Sequence, residues 1–103
     1  MPITVEVEPL PARVRPGFAT ALDIHVRAGA EAVAEARCTA TLSWPGGAHR
    51  WRFEGSAAAG AHVRVGTIQF EVPPEAPAGR LLLEVVVDGT DATTSTAAEI
   101  VTA

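Results

Sequence analysis

The chain has 103 residues, a formal net charge of −4 and one cysteine. This length predicts a single domain, residues 1–103, large enough for one hydrophobic core. One cysteine excludes an intramolecular disulfide. The charges are spread without basic runs, which argues against a nucleic-acid partner. No apolar run approaches the ~20 residues that span a bilayer, which argues against a membrane partner.

Composition and the N-terminal residues bear on the origin of the chain. Met1 is followed directly by Pro2 and a strand-like segment, so we expect no signal peptide. Together with the lone thiol of Cys38, this favours the cytoplasm; a domain excised from a longer chain is the alternative. All basic residues are arginine, and Lys, Asn and Tyr are absent. Because those three residues have AT-rich codons, the composition indicates a GC-rich bacterial genome.

Seven segments alternate apolar and polar residues, as strands with one buried face do. In chain order they are residues 3–8, 19–27, 36–44, 49–53, 62–72, 81–87 and 93–102. Prolines and glycines lie between them, at positions that favour turns. This spacing predicts an all-β, immunoglobulin-like antiparallel β-sandwich of about seven strands.

Three segments depart from simple alternation. In residues 62–72 the apolar positions change from odd to even numbers, which predicts a bulge near Gly66 and Thr67. Residues 81–87 are apolar on both faces, which predicts a central strand, or one covered on both sides. Residues 28–36 are good helix formers, but isolated helices this short are marginal in water. We therefore expect a loop or a single turn there.

The heaviest side chains lie around a Pro-Gly-Gly turn in the run SWPGGAHRWRF. Trp44, Trp51 and Phe53 all fall on the phase that faces inward, which favours positions in the core. Sugar-binding modules, in contrast, use exposed aromatic faces as stacking platforms. Trp44 and Trp51 are therefore the candidate carbohydrate contacts if these rings are exposed.

The sequence predicts no catalytic residue, no cofactor and no metal site. Acidic residues fall on outward strand faces and turns, and no serine has the context of a nucleophile elbow. Cys38 lies on an inward phase, where a buried thiol is inert. The histidines His25, His49 and His62 belong to three different strands and lack the spacing of metal ligands.

Three ordered motifs resemble a known family. They are TLSWPGGAHRWRFEG, HVRVGTIQFEVP and AGRLLLEVVVDG. They are similar to immunoglobulin-like accessory domains of glycoside hydrolase family 2, which includes β-galactosidases, β-mannosidases and β-glucuronidases. The similarity covers residues 14–101 and is strongest over residues 43–88.

The resemblance implies a non-catalytic role. In that family two glutamates of a (β/α)₈ barrel perform catalysis, and this chain has neither the barrel nor its motifs, so no catalytic residue is transferred to it. The implied role is an accessory domain that buttresses the barrel or mediates contacts, with the other domains of a parent hydrolase as partners. The alternatives are a carbohydrate-binding module and a free-standing interaction domain.

Overall fold

A computed structural model describes residues 3–102 and confirms the predicted all-β fold. Met1, Pro2 and Ala103, which the predicted domain also includes, lie outside the described residues. The strands are β1 (Thr4–Val7), β2 (Arg13–Val14), β3 (Ala19–Arg27), β4 (Val33–Trp44), β5 (Gly47–Ala57), β6 (His62–Glu71), β7 (Gly79–Val87) and β8 (Thr93–Ile100). Within residues 3–102 there is no helix of the length and hydropathy that a membrane span requires.

Two sheets form an immunoglobulin-like β-sandwich. The smaller has the strand order β1-β3-β6, and the larger has the order β2-β8-β7-β4-β5. The short β2, absent from the sequence prediction, runs parallel to β8, while the other pairs are antiparallel. Because β3 pairs with β6 and β4 with β7, the chain crosses between sheets in the Greek-key manner of immunoglobulin domains.

Aliphatic side chains fill the space between the sheets. They occupy the inward phase of each strand, as the alternation predicts. The largest of the fully buried ones are Ile24, Leu42, Ile68, Leu81, Leu83 and Ile100. Cys38 and Ala40 are buried beside them on β4, and no polar or charged side chain is buried within the described part of the chain. Burying one such leucine or isoleucine contributes about 1.5–3 kcal/mol.

The predicted core position of the aromatic residues is only partly correct. Trp44, Trp51 and Phe53 face inward and pack against the core, but each is only half-buried. The reason is their place in the sheet. Trp44 is the last residue of β4, and the other two lie on β5, which has a neighbouring strand on one side only.

The predicted central strand is confirmed for β7, which lies in the middle of the larger sheet. Its outer face is not covered within the described residues, because Val86 is 38% exposed. Residues 28–32 form a loop, as predicted, and β4 begins at Val33. The structure therefore places residues 33–35, expected in the loop, in a strand.

The predicted bulge in β6 is confirmed within one residue. Ile24 pairs with Gly66, and the next residue, His25, pairs with Arg64. Val65 is therefore the extra residue of the bulge. The shift allows the apolar residues of β6 to face the core on both sides of the bulge, although their numbering changes from odd to even.

β5 and β6 are edge strands of different sheets. Two glycines allow them to approach each other closely at this edge of the sandwich. A Cβ on Gly66 would overlap the ring of Phe53. A Cβ on Gly55 would lie 2.7 Å from Cγ1 of Val65. Neither glycine has a positive φ, so the requirement there is space. These contacts close the edge between the two sheets around Phe53.

We predict that Gly66→Ala destabilises the fold by about 1–3 kcal/mol, because the added methyl group overlaps the Phe53 ring in a packed interior. Urea unfolding of the single variants and of the double variant with Phe53→Ala measures this directly. In the Phe53→Ala background, Gly66→Ala should cost much less. An equal cost in both backgrounds would show that the steric contact is not the cause.

Candidate functional site

A groove of about 230 Å³ opens where the β4–β5 hairpin meets the end of β6. Its lining combines aromatic rings with an imidazole, a carboxamide and a carboxylate. The residues are Leu42, Trp44, His49, Trp51, Gln69, Phe70 and Glu71. The structure thus brings together both tryptophans that the sequence marks as candidate carbohydrate contacts.

A tight turn positions the first wall of the groove. Pro45 and Gly46 form the turn, Trp44 pairs with Gly47, and Gly46 has φ +106°, a conformation that suits glycine. Pro45 packs against Gly79 at the start of β7. The indole of Trp44 lies across Gly47, where a Cβ would be 2.8 Å from Cζ2. The ring is therefore held at the end of the hairpin.

The remaining walls come from β5 and β6. His49 and Trp51 lie on the same face of β5, with ring centroids 4.4 Å apart and planes inclined by 53°. Phe70 of β6 is half-buried and faces them, and its neighbours Gln69 and Glu71 are exposed. The groove therefore has apolar faces at its base and hydrogen-bonding groups at its rim, a composition typical of small-molecule sites.

Sequence reasoning alone did not place His49, Gln69, Phe70 and Glu71 in this groove. A usable signal was present in the short connection between β5 and β6, residues 58–61. A short connection brings the two strands close together in antiparallel directions, so the end of β6 lies near the start of β5. Phe70 is then expected near Trp51, as the groove lining shows.

A larger cleft, of about 860 Å³, lies at the opposite edge of the sandwich. It runs along β1 and the turn between β7 and β8, and its charged residues are Glu6, Arg27 and Asp91. Its lining contains no aromatic residue, and Glu6 already contacts His62. The smaller groove therefore has the more specific combination of groups, despite its size.

Two of the three histidines come together on the outer face of the smaller sheet. The rings of His25 and His62 have centroids 5.0 Å apart, and Nε2 of His62 lies 3.4 Å from Oε2 of Glu6. The sequence assigns these histidines to different strands, and the pairing of β3 with β6 makes them neighbours. Within residues 3–102 no group of three His, Cys, Asp or Glu side chains is arranged to hold a metal ion.

Cys38 lies on the inner face of β4, as predicted, and is only 1% exposed. Burial raises the pKa of its thiol above the ordinary value of 9.0, and the carboxylate of Asp88 adds to the rise. Both effects disfavour the thiolate, which is the nucleophilic form. The chemistry of this cysteine is therefore that of a small apolar core residue.

The sequence matches no protein-family model and no curated protein. Similar solved structures include the alkylpurine DNA glycosylase AlkC of Pseudomonas fluorescens, bound to DNA with an abasic-site analogue. That likeness has a TM-score of 0.67 and 16% identity, and covers 93% of this chain and 30% of that chain. Sporulation control protein Spo0M of Bacillus subtilis has a TM-score of 0.68 and 15% identity, covering 98% of this chain and 50% of that one.

A family 123 glycoside hydrolase from Clostridium perfringens, which acts on glycolipid glycans, is also similar. Its TM-score is 0.54 at 10% identity, with 98% of this chain and 27% of that chain covered. This chain therefore spans half or less of each of the three matched chains. At such low identities the likeness shows the fold alone.

We predict that Cys38 makes folding stability fall as the pH rises above about 9. The folded thiol keeps its proton to higher pH than the unfolded thiol, so its contribution is complete below the unfolded pKa and is lost above it. Urea unfolding at about pH 8 and about pH 10 measures this effect. Cys38→Ala should remove the added pH dependence. Rapid reaction of the native thiol with Ellman's reagent would contradict its burial.

Proposed function

We propose that this chain is a non-catalytic accessory module of a larger protein. The main support is the way the fold is distributed among its neighbours. The same sandwich makes up between 27% and 50% of a DNA glycosylase, a sporulation control protein and a glycoside hydrolase. A unit shared by proteins with such different activities is more consistent with a scaffold or contact module than with one common reaction.

The outer face of the larger sheet supports a contact role. Val86 is exposed on the central strand β7 and Leu82 is half-buried on the same face. On the adjacent strand β4, Thr39 pairs with Val86 and Ser43 with Leu82. The exposed Glu84 lies between them on the same face, so this sheet surface combines two apolar side chains with one carboxylate and small polar residues. Such a surface suits the moderately polar contacts that domains of one protein make with each other.

The finer proposal is that the larger protein is a glycoside hydrolase of family 2, with its other domains as the partners of this chain. The support is the order of the three strand motifs, which span β4 to β7. The net charge of −4 also favours partners other than nucleic-acid phosphates.

We predict that the isolated chain does not hydrolyse chromogenic β-galactosides, β-mannosides or β-glucuronides, whereas the product of the complete reading frame does. The frame should encode a barrel with paired glutamates. Deleting residues 3–102 from that product should lower its melting temperature, because an accessory domain stabilises its neighbours through contact. Hydrolase activity that co-purifies with the isolated chain at constant specific activity would contradict the proposal. A reading frame that encodes no further domain would also contradict it.

Carbohydrate binding is a second candidate, and the groove favours it. Trp44 and Trp51 are half-buried there, beside the exposed polar side chains of Gln69 and Glu71. An aromatic face stacks on the apolar face of a sugar ring. The amide of Gln69 can donate hydrogen bonds to the sugar hydroxyls or accept them, and the carboxylate of Glu71 can accept them.

For this second candidate we predict that Trp51→Ala abolishes binding of a β-linked oligosaccharide in titration calorimetry and lowers stability by roughly 2–3 kcal/mol, as expected for a half-buried ring. Phe53→Ala is the matched control, because Phe53 is a half-buried aromatic residue on the same strand but outside the groove lining. It should cost similar stability and leave the affinity unchanged. Equal loss of affinity in both variants, or no binding across a broad glycan panel, would exclude a sugar platform.

A further inference from the structure

Strand β5 is a long free edge of the larger sheet. It has 11 residues and pairs only with β4, so its second row of N–H and C=O groups has no strand partner among the described residues. The other edge strands are less suited to pairing: β1 and β2 have 4 and 2 residues, and β6 contains the bulge at Val65. β5 contains no proline, which blocks edge pairing. It does carry exposed charges, which oppose pairing wherever like charges meet.

The charges on β5 select one way for two copies of this edge to pair. Arg50, Arg52 and Glu54 are exposed on the outer face, and Trp51 and Phe53 alternate with them on the inner face. A twofold antiparallel pairing must match outer residues with outer residues. The twofold axis therefore lies midway between the two copies of one residue, and each register is named here by that residue. Axes at Arg50, Trp51, Arg52 or Glu54 each place like charges opposite each other, which is destabilising. The axis at Arg52 also places Arg50 opposite Glu54, but it keeps an Arg52–Arg52 contact at its centre.

An axis at Phe53 avoids this repulsion. It places Arg52 opposite Glu54 of the second copy, and Glu54 opposite the second copy's Arg52, so that both pairs have opposite charge. Axes further along the strand leave most of β5 unpaired. Glu54 already contacts Arg37 of its own chain, with Nε 3.3 Å from Oε1. In the paired state each Glu54 would therefore lie between two arginines.

On the inner face, the same register places Phe53 opposite its own copy and Trp51 opposite Gly55. Val65 of the same chain already fills the space over Gly55, so the second copy's indole would pack beside Val65. Directly opposite aromatic side chains stabilise antiparallel pairs. Both rings are half-buried in the single chain, so pairing would cover apolar surface that is now exposed to solvent.

We propose that this chain forms a twofold dimer through antiparallel pairing of β5 with β5 of a second copy, centred on Phe53. The larger sheets of the two copies then form one continuous sheet. Backbone hydrogen bonds along the edge supply the contact, and the Arg52–Glu54 pairs determine its register. The dimer stands independently of the accessory role, because it rests on the edge strand alone.

Sedimentation velocity of residues 1–103 over a range of concentrations tests whether the dimer forms. The wild-type chain should be dimeric at high concentration. Arg52→Glu and Glu54→Arg each place like charges opposite each other twice, and should weaken the dimer about tenfold or more. Arg50→Glu is the matched control, because it makes the same charge change on the same face but lies opposite Ser56. It should leave the dimer intact.

Mixing the two disruptive variants gives the sharpest outcome. Position 52 of one chain faces position 54 of the other. At a concentration where each variant alone is mostly monomeric, the Arg52→Glu chain and the Glu54→Arg chain should therefore form a mixed dimer. Misfolding cannot produce this recovery. The proposal is overturned by a wild-type chain that is monomeric at all concentrations, by a dimer that tolerates Arg52→Glu, or by equal disruption from Arg50→Glu.

Discussion

The sandwich depends on aliphatic packing between its two sheets. With a single cysteine, the chain lacks the inter-sheet disulfide that antibody domains use, a cross-link typically worth 2–4 kcal/mol. Ile24 of β3 and Ile68 of β6 instead pack in the same core as Leu83 and Val85 of the central strand β7. Cys38 is one small member of this core. Apolar burial is therefore the main source of stability, and the polar residues are left on the two outer faces.

The position of β5 at the edge of its sheet explains both the groove and the free strand edge. A strand with one neighbour leaves its inward side chains partly exposed and half of its backbone groups without a strand partner. Trp51 and Phe53 are half-buried for this reason. Gly55 and Gly66 let β6 approach β5 around Phe53, whereas toward the hairpin the two sheets separate and leave the groove beside Trp44. One topological fact thus produces two surfaces with different chemistry.

The fold itself says little about activity. Sandwiches of this kind serve many unrelated functions, and the three similar structures differ in what they do. What distinguishes this chain is the arrangement of a few side chains on the common scaffold. The apolar residues on the outer face of β7 and the charge order along β5 are separate from the core, so they can change without loss of the fold. The aromatic groove, in contrast, shares Leu42 with the core, and its rings pack against it.

Alternation along the chain was enough to predict the all-β class, the inward phase of Cys38 and the bulge beside Gly66, because each of these depends on which face a residue occupies. Alternation does not report which strands are neighbours or which strand lies at an edge. The half-burial of Trp51, the contact of His25 with His62 and the approach of Phe70 to the tryptophans depend on that information. Strand order arises from long-range packing between distant segments, so only the tertiary structure decided where the exposed aromatic surface lies.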